Sequence, residues 1–168
     1  MSRSTNGSMI ASAPRRAVLL GLASAAAAPA MGAEQCATAT SDYERRAIAL
    51  INDWASALIA KDADKAASYL DENCQYRDDP FQTTPKQGRT QALADIKILL
   101  RGLKSMKIET AYAIGSATEV LVLVRRVDTF ALNGKEISTP LGAYFRVREG
   151  KILEWLDTPL VAMPPPPK

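Results

Sequence analysis

The chain has 168 residues, 47% hydrophobic and 23% charged, with a formal charge of +3 and no histidine. Such a length and balance fit one globular domain and exclude a disordered or fibrous chain. Without histidine there are no His-based triads, no histidine general bases and none of the common zinc sites, which leaves carboxylates, Arg, Tyr and Cys for any chemistry.

Arg3, Arg15 and Arg16 flank or precede an uncharged Ala/Leu-rich run over 17–28, and small residues offer cleavage after Ala30 or Ala33. A basic start, a short apolar centre and a small-residue end describe an export signal at 1–33, too short for a membrane span of about 20 residues. The Arg15-Arg16 pair ahead of Val18-Leu19-Leu20 fits the twin-arginine route, with an ordinary Sec signal as the alternative, so the expected location is periplasmic or secreted. These residues hold three arginines and no acid, which accounts for the whole formal charge. The rest of the chain is balanced, and nothing in it points to nucleic acid or, once the signal is removed, to a membrane. In an oxidising compartment Cys36 and Cys74 leave two readings open, a disulfide or two free thiols.

Ser41-Asp42-Tyr43-Glu44 is a capping box, and apolar residues at Ala47, Ile48, Ile51, Trp54, Ala55 and Leu58 predict a helix ending near Lys61. Asp62 can cap a short second helix carrying Ala66, Ala67, Tyr69 and Leu70. Residues 73–79 alternate and run into Pro80, which predicts a short strand, and 81–88 reads as loop. Thr90 can cap a third helix with the stripe Leu93, Ile96, Leu99, Leu100 and Leu103. Strands are predicted at 107–114, 119–132, 135–147 and 151–159, and 161–168 is expected to be a proline-rich disordered tail. The plan is α+β over 34–160, with helices packed on one face of a bent antiparallel sheet.

One strand carries an anomaly. Alternate strand residues share a face, so Arg126 and Asp128 lie on the apolar face of Val120, Val122, Val124 and Phe130, while Arg125 faces solvent. Buried charge is costly unless paired, and such exceptions cluster at working sites. The Asn133-Gly134 hairpin signal pairs Leu132 with Lys135, Phe130 with Ile137, Asp128 with Thr139 and Arg126 with Leu141. A three-residue turn at Arg148-Glu149-Gly150 then pairs Val147 with Lys151, Phe145 with Leu153, Ala143 with Trp155 and Leu141 with Asp157. A two-residue turn is the poorer choice, because it turns Glu154 inward and Trp155 outward. On that register Asp157 stands about 10 Å across the sheet from Arg126, and the arginine fork fits a bridge between Asp128 and Asp157. Tyr76 and Asp78 share a face of the earlier strand and join this site if that strand closes the sheet over it.

The stretch RRVDTFALNGKEISTPLGAYFRVREGKILEWLDTPL at 125–160, with its R-x-D, its hairpin to a glycine-containing strand and EGKILEWLD, resembles the C-terminal half of the limonene epoxide hydrolase family. Tyr76-Arg77-Asp78 falls where that family has Tyr-x-Asn. The resemblance implies a cone-shaped, curved mixed sheet with three helices, the nuclear transport factor 2-like fold of the SnoaL-like superfamily. It also implies a homodimer and one-step addition of water to a small hydrophobic epoxide, with no cofactor, no metal and no covalent enzyme intermediate. Asp128 would be the acid, Asp157 the base, Arg126 their bridge, and Tyr76 and Asp78 the water-positioning pair. Asp78 is the departure from the family pattern, since a carboxylate accepts from water but does not donate. Three carboxylates around one arginine would titrate as a coupled set. Trp54, Leu58, Ile96, Leu100, Phe130, Leu141, Phe145 and Trp155 are the candidate walls of the substrate pocket. The competing readings are a ketosteroid-isomerase-like or polyketide-cyclase-like enzyme on the same fold, and a non-catalytic domain that binds small ligands.

Overall fold

The computed structural model describes residues 36–78 and 83–160. The expected export signal at 1–33, Asp79, Pro80, the first two loop residues and the expected tail at 161–168 lie outside the described residues, as does the Cys36 side chain.

The described chain runs β1 (Cys36–Thr38), α1 (Asp42–Ile59), α2 (Ala63–Ser68), β2 (Leu70–Arg77), β3 (Lys86–Gln87), α3 (Arg89–Gly102), β4 (Leu103–Gly115), β5 (Val120–Leu132), β6 (Lys135–Arg148) and β7 (Lys151–Pro159). All strands join one sheet in the order β1-β4-β5-β6-β7-β2-β3. The meander from β4 to β7 is antiparallel, whereas β1 joins β4 and β2 joins β7 in parallel. This is the expected α+β architecture, a mixed sheet with three helices among the described residues.

Local chemistry sets the helix ends. Ser41 and Glu44 form the expected capping box, and the Glu44 carboxylate also accepts from Thr40 N and Thr40 Oγ1, each at 2.7 Å, and from Gly115 N at 3.3 Å. It therefore ties the start of α1 to the end of β4. The Thr40 hydroxyl and amide, with the Ser41 amide, hold Glu44 down at about 2. A lowered carboxyl contributes stability that is complete above its unfolded value and lost as pH falls through the folded one. Thermal unfolding of Glu44→Gln should thus lie below the parent by a constant gap from pH 7 to 5, and the gap should close towards pH 2.

Asp62 caps α2 as expected, accepting from Lys65 N at 2.9 Å. The third helix departs from expectation: it begins at Arg89, and Gly88, at φ +97, is the N-cap with no side-chain bond, so Thr90 lies inside the first turn. At its other end Lys61 Nζ donates to the carbonyls of Leu100 and Leu103, and β4 follows at once from Leu103 instead of starting at Lys107. The second strand begins at Leu70, and two residues of the expected loop form β3, which pairs Lys86 with Tyr76. Cys74 is buried as a free thiol, and burial, with the Asp71 charge, pushes it up to about 11.

The core lies between the helices and the inward face of the sheet. Trp54 of α1 meets Phe145 and Trp155 edge-on, with centroids 5.3 and 4.8 Å away, and Trp155 stacks on Tyr76 at 6.1 Å. On β5 the residues Val120, Val122, Val124, Arg126 and Asp128 all face this interior.

The first hairpin has the expected register in all four pairs. The second does not. Its turn is the two-residue Glu149-Gly150, both left-handed at φ 51 and 71, flanked by the pair Arg148–Lys151. A bulge follows: Val147 faces Ile152 and Arg146 faces Glu154, which leaves Leu153 unmatched. The extra residue undoes the flip that a two-residue turn imposes, so Trp155 and Asp157 still point inward and Glu154 pairs outward with Arg146 at 3.1 Å. Phe145 consequently faces Trp155, Ala143 faces Asp157 and Leu141 faces Pro159. Because Glu149 lacks the side chain suited to left-handed backbone, Glu149→Asn should stabilise the fold by roughly 0.5 kcal/mol, read as a small rise in Tm.

Candidate active site

Arg126, Asp128 and Asp157 are each no more than 2% exposed, yet all three line a cavity of about 480 Å³. The rest of the cavity wall is Asp78, Lys86, Asp95, Ile98, Leu99, Phe130, Thr139 and Leu141. It forms where α3 stands off the meander, one edge closed by β2 and β3. A second hollow of about 440 Å³, between α1 and the β4/β5 and β6/β7 turns, shares no residue with it.

Arg126 sits two residues along its strand from Asp128. Its Nε points at both Asp128 oxygens, 3.0 and 3.1 Å away. The other end of the guanidinium grips Asp157 bidentately, Nη1 to Oδ1 at 2.9 Å and Nη2 to Oδ2 at 2.7 Å. The shifted register places Asp157 opposite Ala143 and Val124, one inward row away from Arg126, and the arginine side chain spans that diagonal.

The two carboxylates differ in their surroundings. Asp157 receives three donors, the two Nη groups and Trp155 Nε1 at 2.8 Å. Asp128 shares a single N–H between its two oxygens. Complete burial raises the Asp157 carboxyl above its ordinary value, against the pull of Arg126 and Trp155. Burial opposes the charge on Arg126, but Asp157 and Asp128 outweigh it and keep the guanidinium firmly protonated.

A second polar cluster stands on the same wall. Asp78 lines the cavity, whereas Tyr76 packs in the core and its hydroxyl donates to Asp95 Oδ2 at 2.7 Å. Lys86 Nζ donates to the same Asp95 oxygen at 2.7 Å and to Asp78 at 3.3 Å, and lies 5.7 Å from the centre of the Tyr76 ring. Burial and the hydrogen bond to Asp95 raise the Tyr76 phenol. Asp95 itself is pushed up by burial but ends below its ordinary value through Lys86 and Tyr76.

Of the eight candidate wall residues, Phe130 and Leu141 line the cavity; Trp54, Leu58, Ile96, Leu100, Phe145 and Trp155 belong to the solid core instead. There the helices press directly on the sheet, so inward-facing aromatics fill space and leave none. Ile98, Leu99, Thr139, Lys86 and Asp95 are the wall residues the sequence reading missed. Asp95 had a signal, since it shares a helix face with Ala92 and Leu99 and so puts a charge into an apolar stripe. Among the described residues no group of three or more acids or cysteines is arranged to hold a metal ion.

Such an arrangement can donate a proton from one carboxyl and accept one at another across an apolar space, with a fixed cation coupling the two. Comparisons with known proteins agree on the frame. The chain is similar to the structure of a Mycobacterium tuberculosis LEH-like epoxide hydrolase, at 20% identity and TM-score 0.59, over 68% of this chain and 83% of that one. It is also similar to a Xanthomonas campestris pv. campestris protein whose name proposes a polyketide cyclase, at 19% identity and TM-score 0.55, over 69% and 91%. An NTF2-like protein from Anabaena variabilis matches at 18% identity and TM-score 0.58, over 74% and 95%. At these identities the likeness shows the fold alone. No curated protein matches the sequence significantly. The SnoaL-like domain model matches residues 51–155, and the chain thus belongs to the SnoaL-like family, on the nuclear transport factor 2-like fold that its curved sheet and three helices display.

Proposed function

We propose that this protein is an exported epoxide hydrolase that adds water in one step to a small hydrophobic epoxide. The observation that carries the reading is the buried Arg126 bridge between two carboxylates of unlike surroundings on the wall of a largely apolar cavity. Ile98, Leu99, Phe130 and Leu141 hold the hydrocarbon. Asp128, with one donor shared over its two oxygens, gives its proton to the epoxide oxygen as the carbon–oxygen bond breaks. Asp157 takes a proton from the water whose oxygen forms the new bond to carbon; its burial-raised carboxyl makes it a stronger base than an exposed one. Arg126 stays charged throughout and offsets the negative charge as it passes from one carboxylate to the other. Between turnovers the proton returns from Asp157 to Asp128, and no cofactor takes part.

An isomerase wants an isolated carboxylate base facing hydroxyl donors. Here the Tyr76 hydroxyl is turned to Asp95 and both carboxylates are held by Arg126, which favours the hydrolase. Export through residues 1–33 and assembly as a homodimer belong to the same proposal. The test is diol formation by the full chain on a panel of cyclic and aryl epoxides. Turnover is expected for at least one, and absence of diol across the panel sinks the reading.

A further inference from the structure

An attacking water needs three things. One proton goes to the base, the second proton needs an acceptor, and the lone pair that does not attack is best held by a donor. Asp157 is the base in the reading above, on which this inference rests. Asp78 is placed to be the acceptor: Tyr76 pairs with Trp155 and Arg77 with Leu156, so the next residues in this parallel register are Asp78 and Asp157, on strands about 4.8 Å apart. Both line the cavity.

Neither carboxylate can donate, so the donor must come from elsewhere. Tyr76 is excluded, because its single hydroxyl proton goes to Asp95 at 2.7 Å. Arg126 is the poorer candidate, because it gives one N–H from each of its three nitrogens to Asp128 and Asp157 and at 2% exposure leaves little of its two remaining Nη protons open to the cavity. Trp155 Nε1 is spent on Asp157. Lys86 remains. Its ammonium carries three protons, and among the described residues its hydrogen-bond partners are Asp95 and Asp78, which take two of them. The side chain is 33% exposed and lines the cavity, so its third proton can reach a water there. Asp95 fixes it there through the short bond, and is itself fixed by Tyr76.

We propose that Lys86 is the donor that positions the attacking water, with Asp78 as that water's second acceptor, beside Asp157. Tyr76 acts one step further back, orienting Asp95 and through it Lys86.

Lys86→Met in the full chain should lower kcat about tenfold with KM little changed, since the water and not the substrate loses its partner. Adding Asp78→Asn to that variant should recover most of the loss, because an amide supplies an N–H beside Asp157. Adding Asp78→Leu should not, although it removes the same unpaired charge. Equal recovery by Asn and Leu would overturn the proposal and leave Lys86 as a charge balance only; kcat within twofold of the parent in Lys86→Met would also overturn it. Thermal unfolding checks that each variant is folded. Should Lys86→Met not fold, Lys86→Gln carries the test: it keeps an N–H donor without the charge, retained kcat is expected, and loss equal to that of Asp128→Asn overturns the proposal. If Asp128→Asn and Asp157→Asn leave diol formation intact, the hydrolase reading itself fails and this inference with it. If they abolish it while the Lys86 variants behave as the parent, only the inference fails.

Discussion

Asp128→Asn is expected to fold like the parent and to lower kcat for epoxide opening by about 10²–10⁴-fold, the range a positioned general acid supplies. The substitution is mild structurally. The amide oxygen can still accept from Arg126 Nε, which now divides itself between two oxygens at 3.0 and 3.1 Å, and the amide nitrogen can turn to the cavity. What the amide cannot do is give up a proton as the carbon–oxygen bond breaks. Asp157→Asn should lose as much activity but less cleanly. Every group around that carboxylate is a donor, Nη1, Nη2 and Trp155 Nε1, so an amide nitrogen there must face another N–H. Activity assays paired with thermal unfolding separate the two cases. An Asp128→Asn variant that turns over within tenfold of the parent would remove Asp128 from the chemistry.

Arg126→Met should be the most destabilising single change, by about 3–5 kcal/mol at pH 7, because it leaves the Asp157 carboxylate buried beside Asp128 with no cation between them. The loss should depend on pH in a defined direction. Burial already raises Asp157 against the pull of Arg126, and without the arginine it acts with less opposition. A carboxyl whose folded value lies above its unfolded one contributes stability that is present below the unfolded value and lost as pH rises through the folded one. The variant should therefore recover part of its deficit between pH 7 and pH 5, measured as the midpoint and slope of urea unfolding. A deficit equal at both pH values would mean that packing, and not unpaired charge, explains the loss.

Much of the site was legible in the sequence, for local reasons. Arg126 and Asp128 stand out because strand alternation alone puts them on an apolar face, and Asn133-Gly134 fixes the first hairpin because its turn admits few geometries. The second hairpin departs from its expected turn by one residue. Glu149 adopts a left-handed backbone that its side chain does not favour, and the bulge at Leu153 then restores the face of Trp155 and Asp157. Two irregularities cancel, so strand alternation predicts the inward direction of Asp157 but not its row, which is opposite Ala143 and not Leu141. Lys86 and Asp95 were missed for a different reason. Their meeting joins β3 and α3, with Tyr76 from β2, and no periodicity within one element encodes it. The cavity walls follow the same logic, since apolar spacing marks what faces inward but not where a helix stands clear of the sheet.

In the proposed reaction water adds directly to the epoxide, with no bond between protein and substrate. A single turnover in water labelled with heavy oxygen, with enzyme in excess over epoxide, tests it most directly. Direct attack predicts one labelled oxygen in the diol of that first turnover and none in the protein; an unlabelled first diol, with label appearing in Asp128 or Asp157, would contradict it.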